Sequence, residues 1–400
     1  MKRILSLMAA SAVAGLTLMP GAEAGEKAIR IGILTDQNGP YADIVGAGSI
    51  HAAQMAVQDF GGKVLGKPIE VLGADTQNKP DVASAIARKW FDTEGVDVIL
   101  DLPVTSIALA VQAVARDKKK VVITTAAASA VLTGKECSPT GIHWMDDTDA
   151  MSTGTARAVV AAGGTKWFFL TPDYVFGAIM QKAATDAITA AKGEIVGSVK
   201  FPLSTPDYSS ALVTAGASTA NIFAFSTVGG DTLNAIKQAS EFGLTKNNRK
   251  IVVFLMYLNE VHGLGLKVAQ GLYVTDGFYW DENEATRAWS KRYFEKMKKM
   301  PSKTQAFNYI ATTHYLKAVQ AAGTDDGPKV TAKMKEMSGE YLGKKYRIRK
   351  NGRVMYDLTL NEVKSPAESK YAWDYMKPVR KITAEEAFGA TEPGDCVPAK

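Results

Sequence analysis

The sequence predicts an α/β chain of two lobes, each a parallel sheet covered by helices. Three observations predict it. Short runs that are apolar throughout alternate with amphipathic helical stretches, the pattern of strands buried on both faces. The rhythm plays once from residue 29 to residue 124 and restarts near Lys166. A chain of 400 residues also exceeds what one ordinary core supports.

In the first half, Ile29 to Leu34 reads as a strand and Thr35 to Tyr41 as a loop. Ile50, Ala53, Met55, Ala56, Val57 and Phe60 then recur at helical spacing. Strands follow at Ile69–Ala74, Val96–Leu100 and Val121–Thr124, with helices at Asp81–Thr93 and Ser106–Arg116. In the second half, strands are expected at Trp167–Leu170, Ile195–Phe201, Asn221–Phe225 and Ile251–Leu255. Helices fall between them at Phe176–Ala191, Tyr208–Ala217 and Asp231–Phe242. A local match supports a repeated plan: Pro80-Asp81-Val82-Ala83-Ser84-Ala85-Ile86 parallels Pro206-Asp207-Tyr208-Ser209-Ser210-Ala211-Leu212. Beyond these lie a strand at Gly271–Asp276, helices at Ala285–Lys299, Gln305–Ala322 and Val330–Met337, and an alternating strand at Arg353–Val363. A proline-containing tail follows Ser365. With no low-complexity linker between the halves, the chain is expected to cross between lobes several times.

The N terminus reads as an export signal. Lys2 and Arg3 precede an apolar stretch from Ile4 to Met19, and Ala22-Glu23-Ala24 forms a small-x-small cleavage site that leaves Gly25 first. The apolar core is shorter than a membrane span and Pro20 ends it. The reading is therefore a mature protein that is free and soluble outside the cytoplasm. Cys137 and Cys396 are the two cysteines, and export favours a disulfide between them.

The net charge of +6 is modest, and the Lys and Arg residues scatter rather than form a stripe, which argues against nucleic-acid binding. Catalytic signatures are absent. His51, His143, His262 and His314 have no metal-type spacing, and there is no GxSxG, HExxH or P-loop. Gly46-Ala47-Gly48 only begins a GxGxxG, and it does not directly follow a strand. The expectation is a monomer that is not an enzyme, with no cofactor and no metal.

Open parallel sheets bind ligands beyond the carboxyl ends of their strands, where helix N-termini offer unpaired N–H groups and partial positive charge. That rule selects six loops: Asn38–Tyr41, Val104–Ser106 and Ala126–Ser129 in the first lobe, and Asp173–Gly177, Thr227–Asp231 and Tyr257–Glu260 in the second. The candidate ligand-binding residues are Tyr41, Val104, Thr105, Ala126, Ala127, Ser129, Phe176, Thr227, Gly229, Tyr257, Glu260 and Trp280. Thr105 would offer a hydroxyl and a backbone donor. Ala126 and Ala127 would offer backbone groups, and Ser129 a hydroxyl. Gly229 would permit close backbone approach. Tyr41, Phe176, Tyr257 and Trp280 would supply aromatic walls.

A resemblance sharpens this picture. "IRIGILTDQNGPYADI", "GGKVLGKPIEV", "DTQNKPDVASAIARKW", "GVDVIL", "SIALAVQAVA", "FFLTPDYVFG", "DYSSAL" and "AIKQASEFGL", in that order, resemble the periplasmic Leu/Ile/Val-binding proteins. The resemblance implies a type I periplasmic binding protein fold of two Rossmann-like lobes joined by a multi-strand hinge. One lobe would take residues 25–145 plus 279–346, the other 146–278 plus 347–400. It implies a small-molecule ligand between the lobes and an inner-membrane ABC permease and ATPase as partners. The serine pair that aliphatic amino-acid binders usually carry reads Val104-Thr105 here. The acidic partner for a ligand ammonium should fall near Tyr257, with Glu260 as its nearest substitute. An amino acid and an aromatic or other organic acid both remain open as ligand, as does a sensor role.

Overall fold

A computed structural model of the chain describes residues 27–247 and 249–396. The expected export signal lies outside these residues. The chain opens with β1 (Ile29–Thr35), α1 (Gly46–Phe60), β2 (Lys63–Val64), β3 (Lys67–Asp75), α2 (Pro80–Asp92), β4 (Val98–Asp101), α3 (Thr105–Asp117), β5 (Val121–Thr124) and β6 (Gly141–His143). Its strands form one sheet in the order β2-β3-β1-β4-β5-β6, parallel except at the β2 edge. Ile29, Ile31, Ile33 and Leu34 are fully buried although they point to both faces, because helices cover the sheet on each side. Gly32 allows that cover to come close: a Cβ there would sit 2.4 Å from the Trp90 ring of α2.

The second unit follows: α4 (Thr148–Ala161), β7 (Lys166–Pro172), α5 (Val175–Ala190), β8 (Glu194–Phe201), α6 (Ser209–Gly216), β9 (Ile222–Phe225), α7 (Gly230–Glu241), β10 (Lys250–Val253), α8 (Leu258–Leu264), α9 (Leu266–Ala269) and β11 (Tyr273–Asp276). The chain then returns. Helices α10 (Glu284–Met297), α11 (Lys303–Ala322) and α12 (Gly327–Glu336) come back to the first unit, where α11 packs along α1 and α12 against β5. Strands β12 (Gly339–Tyr341), β13 (Lys344–Ile348) and β14 (Val354–Met355) make a small antiparallel sheet. Finally β15 (Leu358–Val363), β16 (Met376–Ile382) and α13 (Ala384–Phe388) rejoin the second unit. Its sheet runs β16-β15-β11-β10-β9-β7-β8, parallel from β8 to β11 and antiparallel beyond.

Among the described residues the chain therefore passes between the units three times before its tail: after β6, after β11 and after β14. The stretch Arg353–Val363, expected as one strand, is cut at Tyr356-Asp357 into two strands that belong to different sheets. The return expected at residue 347 comes later: β14 still pairs with β13 and Arg353 bridges to His143, so the chain stays with the first unit through Met355. The tail beyond Ser365 contains β16 and α13, neither of which was anticipated. It ends back at the first unit, where Cys396 is disulfide-bonded to Cys137 with Cα atoms 5.7 Å apart.

Candidate functional site

Each sheet has a point where successive strands go to opposite sides of the first one. In the first sheet it lies at β1, flanked by β3 and β4; in the second it lies at β7, flanked by β8 and β9. Loops leaving strands at such points part and leave a crevice. The two crevices face each other across one slot, lined by Tyr41, Ile44 and Val45 after β1, Pro103, Val104 and Thr105 after β4, and Ala126 and Ala128 after β5. Across it stand Tyr174 and Phe176 after β7, Val228 after β9, and Leu255 and Tyr257 after β10. The enclosed volume is small, about 30 Å³. The units touch at its rim: a Cβ on Gly229 would lie 3.2 Å from the Tyr41 ring opposite. Outside, Asp36, Asn38, Gln77, Asn78, Leu203 and Ser204 border a wider mouth.

Helix ends supply polarity. Helices α3, α5 and α7 start at the slot with Val104, Tyr174 and Gly229 as their N-cap residues, and none of these caps its helix through a side chain. The first N–H groups of these helices thus lack the usual Ser, Thr, Asp or Asn oxygen. Thr105 in particular is the first residue of α3 and does not cap it. The phenols of the lining are neutral donors. Burial pushes Tyr41 up to about 12 and raises Tyr174 and Tyr257 as well. Among the described residues, no Asp, Glu, Lys or Arg lines the slot.

Of the residues predicted from sequence, the structure gathers Tyr41, Val104, Thr105, Ala126, Phe176 and Tyr257 around the slot. The others go elsewhere for identifiable reasons. Ala127 turns into the core on the opposite face; its N–H donates to Leu102 O and its carbonyl meets His143 Nε2 at 2.7 Å. The N–H of Ala126 is spent on Asp101 O, so of the backbone groups expected of the two alanines neither N–H is open. Ser129 is fully buried and is not part of the lining, and Thr227 accepts a hydrogen bond from Thr232 Oγ1. Trp280 lies away from the slot, its indole N–H donating to Trp373 O at 2.9 Å.

Glu260 differs most from expectation. Its Oε2 accepts from Tyr257 N at 2.7 Å and its Oε1 from Gly229 N, so both oxygens face backbone rather than the slot. Burial pushes its pKa up to about 8, against these two N–H donors, which lower it. Ile44, Val45, Pro103 and Leu255 line the slot outside the six loops that sequence reasoning selects. Their signal was position, since each sits in a strand-end loop, while their aliphatic type reads as core.

Two switch-point crevices closed over one slot, on units tied by three crossings, define a two-lobed capture protein. The chain belongs to the type I periplasmic binding proteins of the Leu/Ile/Val-binding kind, and the family described as periplasmic binding protein matches it over residues 28–370. The solved structure of a periplasmic binding protein from Burkholderia mallei is 48% identical, with a TM-score of 0.88 over 91% of this chain and 97% of that one. A branched chain amino acid ABC transporter periplasmic ligand-binding protein from Burkholderia xenovorans LB400 is 40% identical, with a TM-score of 0.82 over 90% and 97%. Leu/Ile/Val-binding protein homolog 6 of Brucella melitensis is 28% identical over 219 residues, 54% of this chain and 55% of that protein. The match thus spans about half the length of that curated relative.

Proposed function

We propose that this chain is the periplasmic substrate-binding component of an ABC importer, exported by a cleaved signal, and that it captures a small organic monocarboxylate between its lobes without turning it over. The observation that carries the reading is the slot's composition: uncapped helix N-termini and phenol donors among aromatic and aliphatic walls, with no acidic side chain among the described residues that line it. Backbone N–H groups at helix ends hold a carboxylate well. An ammonium enclosed in the same slot has no carboxylate to pair with, a costly arrangement. The composition therefore favours an aromatic or aliphatic acid over an amino acid. The likeness to the Burkholderia xenovorans protein favours a branched-chain amino acid instead, and that is the second reading.

The mechanism is hinge closure. Ligand docks on one lobe and recruits the other, and the closed form gains only from contacts made to both. The closed pair of lobes is then the surface presented to an inner-membrane permease and its ATPase. A thermal-shift screen separates the readings: a ligand at 100 times its Kd adds about 2.7 kcal/mol of stability. Benzoates, cinnamates and short aliphatic acids are expected to shift the melt. A shift with leucine, isoleucine or valine alone would establish the amino-acid reading instead.

A further inference from the structure

All three crossings converge on one buried ionic cluster. Lys303, the first residue of α11, has a completely buried side chain whose Nζ lies 2.9 Å from Asp146 Oδ2 and 3.4 Å from Asp276 Oδ1. Asp146 stands on the first crossing, and Asp276 ends β11 at the second. Tyr356, on the third, places its Oη 2.6 Å from both Asp146 Oδ1 and Trp144 O. Lys344 Nζ donates to Gly277 O at 2.7 Å, holding the second crossing from the side of the small sheet.

The same helical turn reaches the slot. Ser302 Oγ donates to Ile44 O at 2.6 Å, Thr304 Oγ1 donates to the same carbonyl, and Gln305 Nε2 donates to Val45 O at 3.1 Å. Ile44 and Val45 are slot walls on the first lobe. Lys303 Nζ also lies 5.4 Å from the ring centroid of Tyr257, a wall on the second.

We propose that Lys303 is a positioning residue for ligand binding: its ammonium ties Asp146 to Asp276 beneath Tyr257 and so sets the closed relation of the lobes. The proposal rests on the reading of the slot as the ligand site. Removing one partner of a buried charge pair leaves the other uncompensated. Without Lys303, two carboxylates would face each other across the joint. Burial already pushes Asp276 up to about 6, with Lys303 opposing and Asp146 adding to the rise. The other ionisable groups facing the cluster are Tyr356, Tyr257, Lys344, Glu260 and Asp101, with Arg353 and Asp147 behind Tyr356.

The test uses the full chain with nitroxide labels at Lys79→Cys and Leu203→Cys, exposed positions on opposite lobes, to read lobe separation. Isothermal titration with benzoate and with leucine reads binding. Lys303→Met is expected to widen the label separation and weaken binding on the order of 100-fold at pH 8. Both effects should recover toward pH 5, where a shared proton replaces the ammonium. Lys303→Met/Asp276→Asn, whose new amide donates to Asp146, is expected to close at both pH values, and it decides the question if the single variant does not fold. Wild-type separation in Lys303→Met, a pH-independent loss, or a double variant that stays open would overturn the proposal. If the unsubstituted protein binds neither probe, the reading of the slot fails for these ligands, while the label distances still decide the role of Lys303.

Discussion

Gly229 and Glu260 show how much of the site is decided by single residues. Gly229 has φ 68° and ψ −139°, a region that side chains avoid, and it faces Tyr41 across the slot. Gly229→Ala adds strain and a contact that only the closed form feels. We expect ligand affinity to fall roughly tenfold, about 1.4 kcal/mol, by isothermal titration. Glu260 has a folded pKa of about 8 against an ordinary value of 4.5. A group raised in this way contributes stability below its unfolded pKa and loses it as pH rises through the folded one. The unsubstituted protein should therefore lose stability between pH 5 and pH 8 through this residue. Glu260→Gln should lack that slope, so its melting temperature should gain on the parent's as pH rises. Equal slopes in both proteins would show that Glu260 is not the cause. The sequence revealed that an acid sits near Tyr257. It did not reveal that both oxygens would be spent on backbone, because that depends on α7 and α8 meeting.

The elements were legible where their chemistry was plain. Strands β1, β4, β5, β9 and β10 are apolar runs, and Ser302-x-x-Gln305 opens α11 with reciprocal bonds between the Ser302 and Gln305 side chains and each other's N–H. Helix α4 was not read because Thr148–Ala161 is built of small and polar residues. Gly154 nevertheless presses close enough to β16 that a Cβ would sit 2.4 Å from Ile382. Strand β16 was hidden by Pro378 and by Lys377, Arg380 and Lys381, residue types that an edge strand tolerates. The slot loops were found by the strand-end rule. Which loop residue faces the slot is set by the alternation of the chain leaving β5, so Ala126 lines the slot while Ala127 packs into the first lobe's own core. Helix α11 carries a prediction of its own: Ser302→Ala removes its cap and the bond to Ile44 O. It should cost about 1–2 kcal/mol in chemical denaturation, and more than an equivalent change at Thr383, which caps only the short α13.

At the scale of the molecule, the disulfide closes a loop across 259 residues. Replacing both cysteines by serine should lower stability by about 2–4 kcal/mol. It should leave ligand affinity within about twofold, since neither cysteine lines the slot. Calorimetry and titration on the same variant check both halves of that expectation. The three crossings have a further consequence, for the order of assembly. The first lobe is discontinuous: α1 needs α11 as its packing partner, β5 needs α12, and Cys137 waits for Cys396. The second sheet, by contrast, is contiguous from β7 to β11. During folding the inner lobe can form while the outer one is still missing half its core, and joining residues so distant in the chain is slow. The second sheet in turn gains β15 and β16 only after α11 and α12 have gone back to the first lobe, so each lobe is completed by a segment that follows the other's.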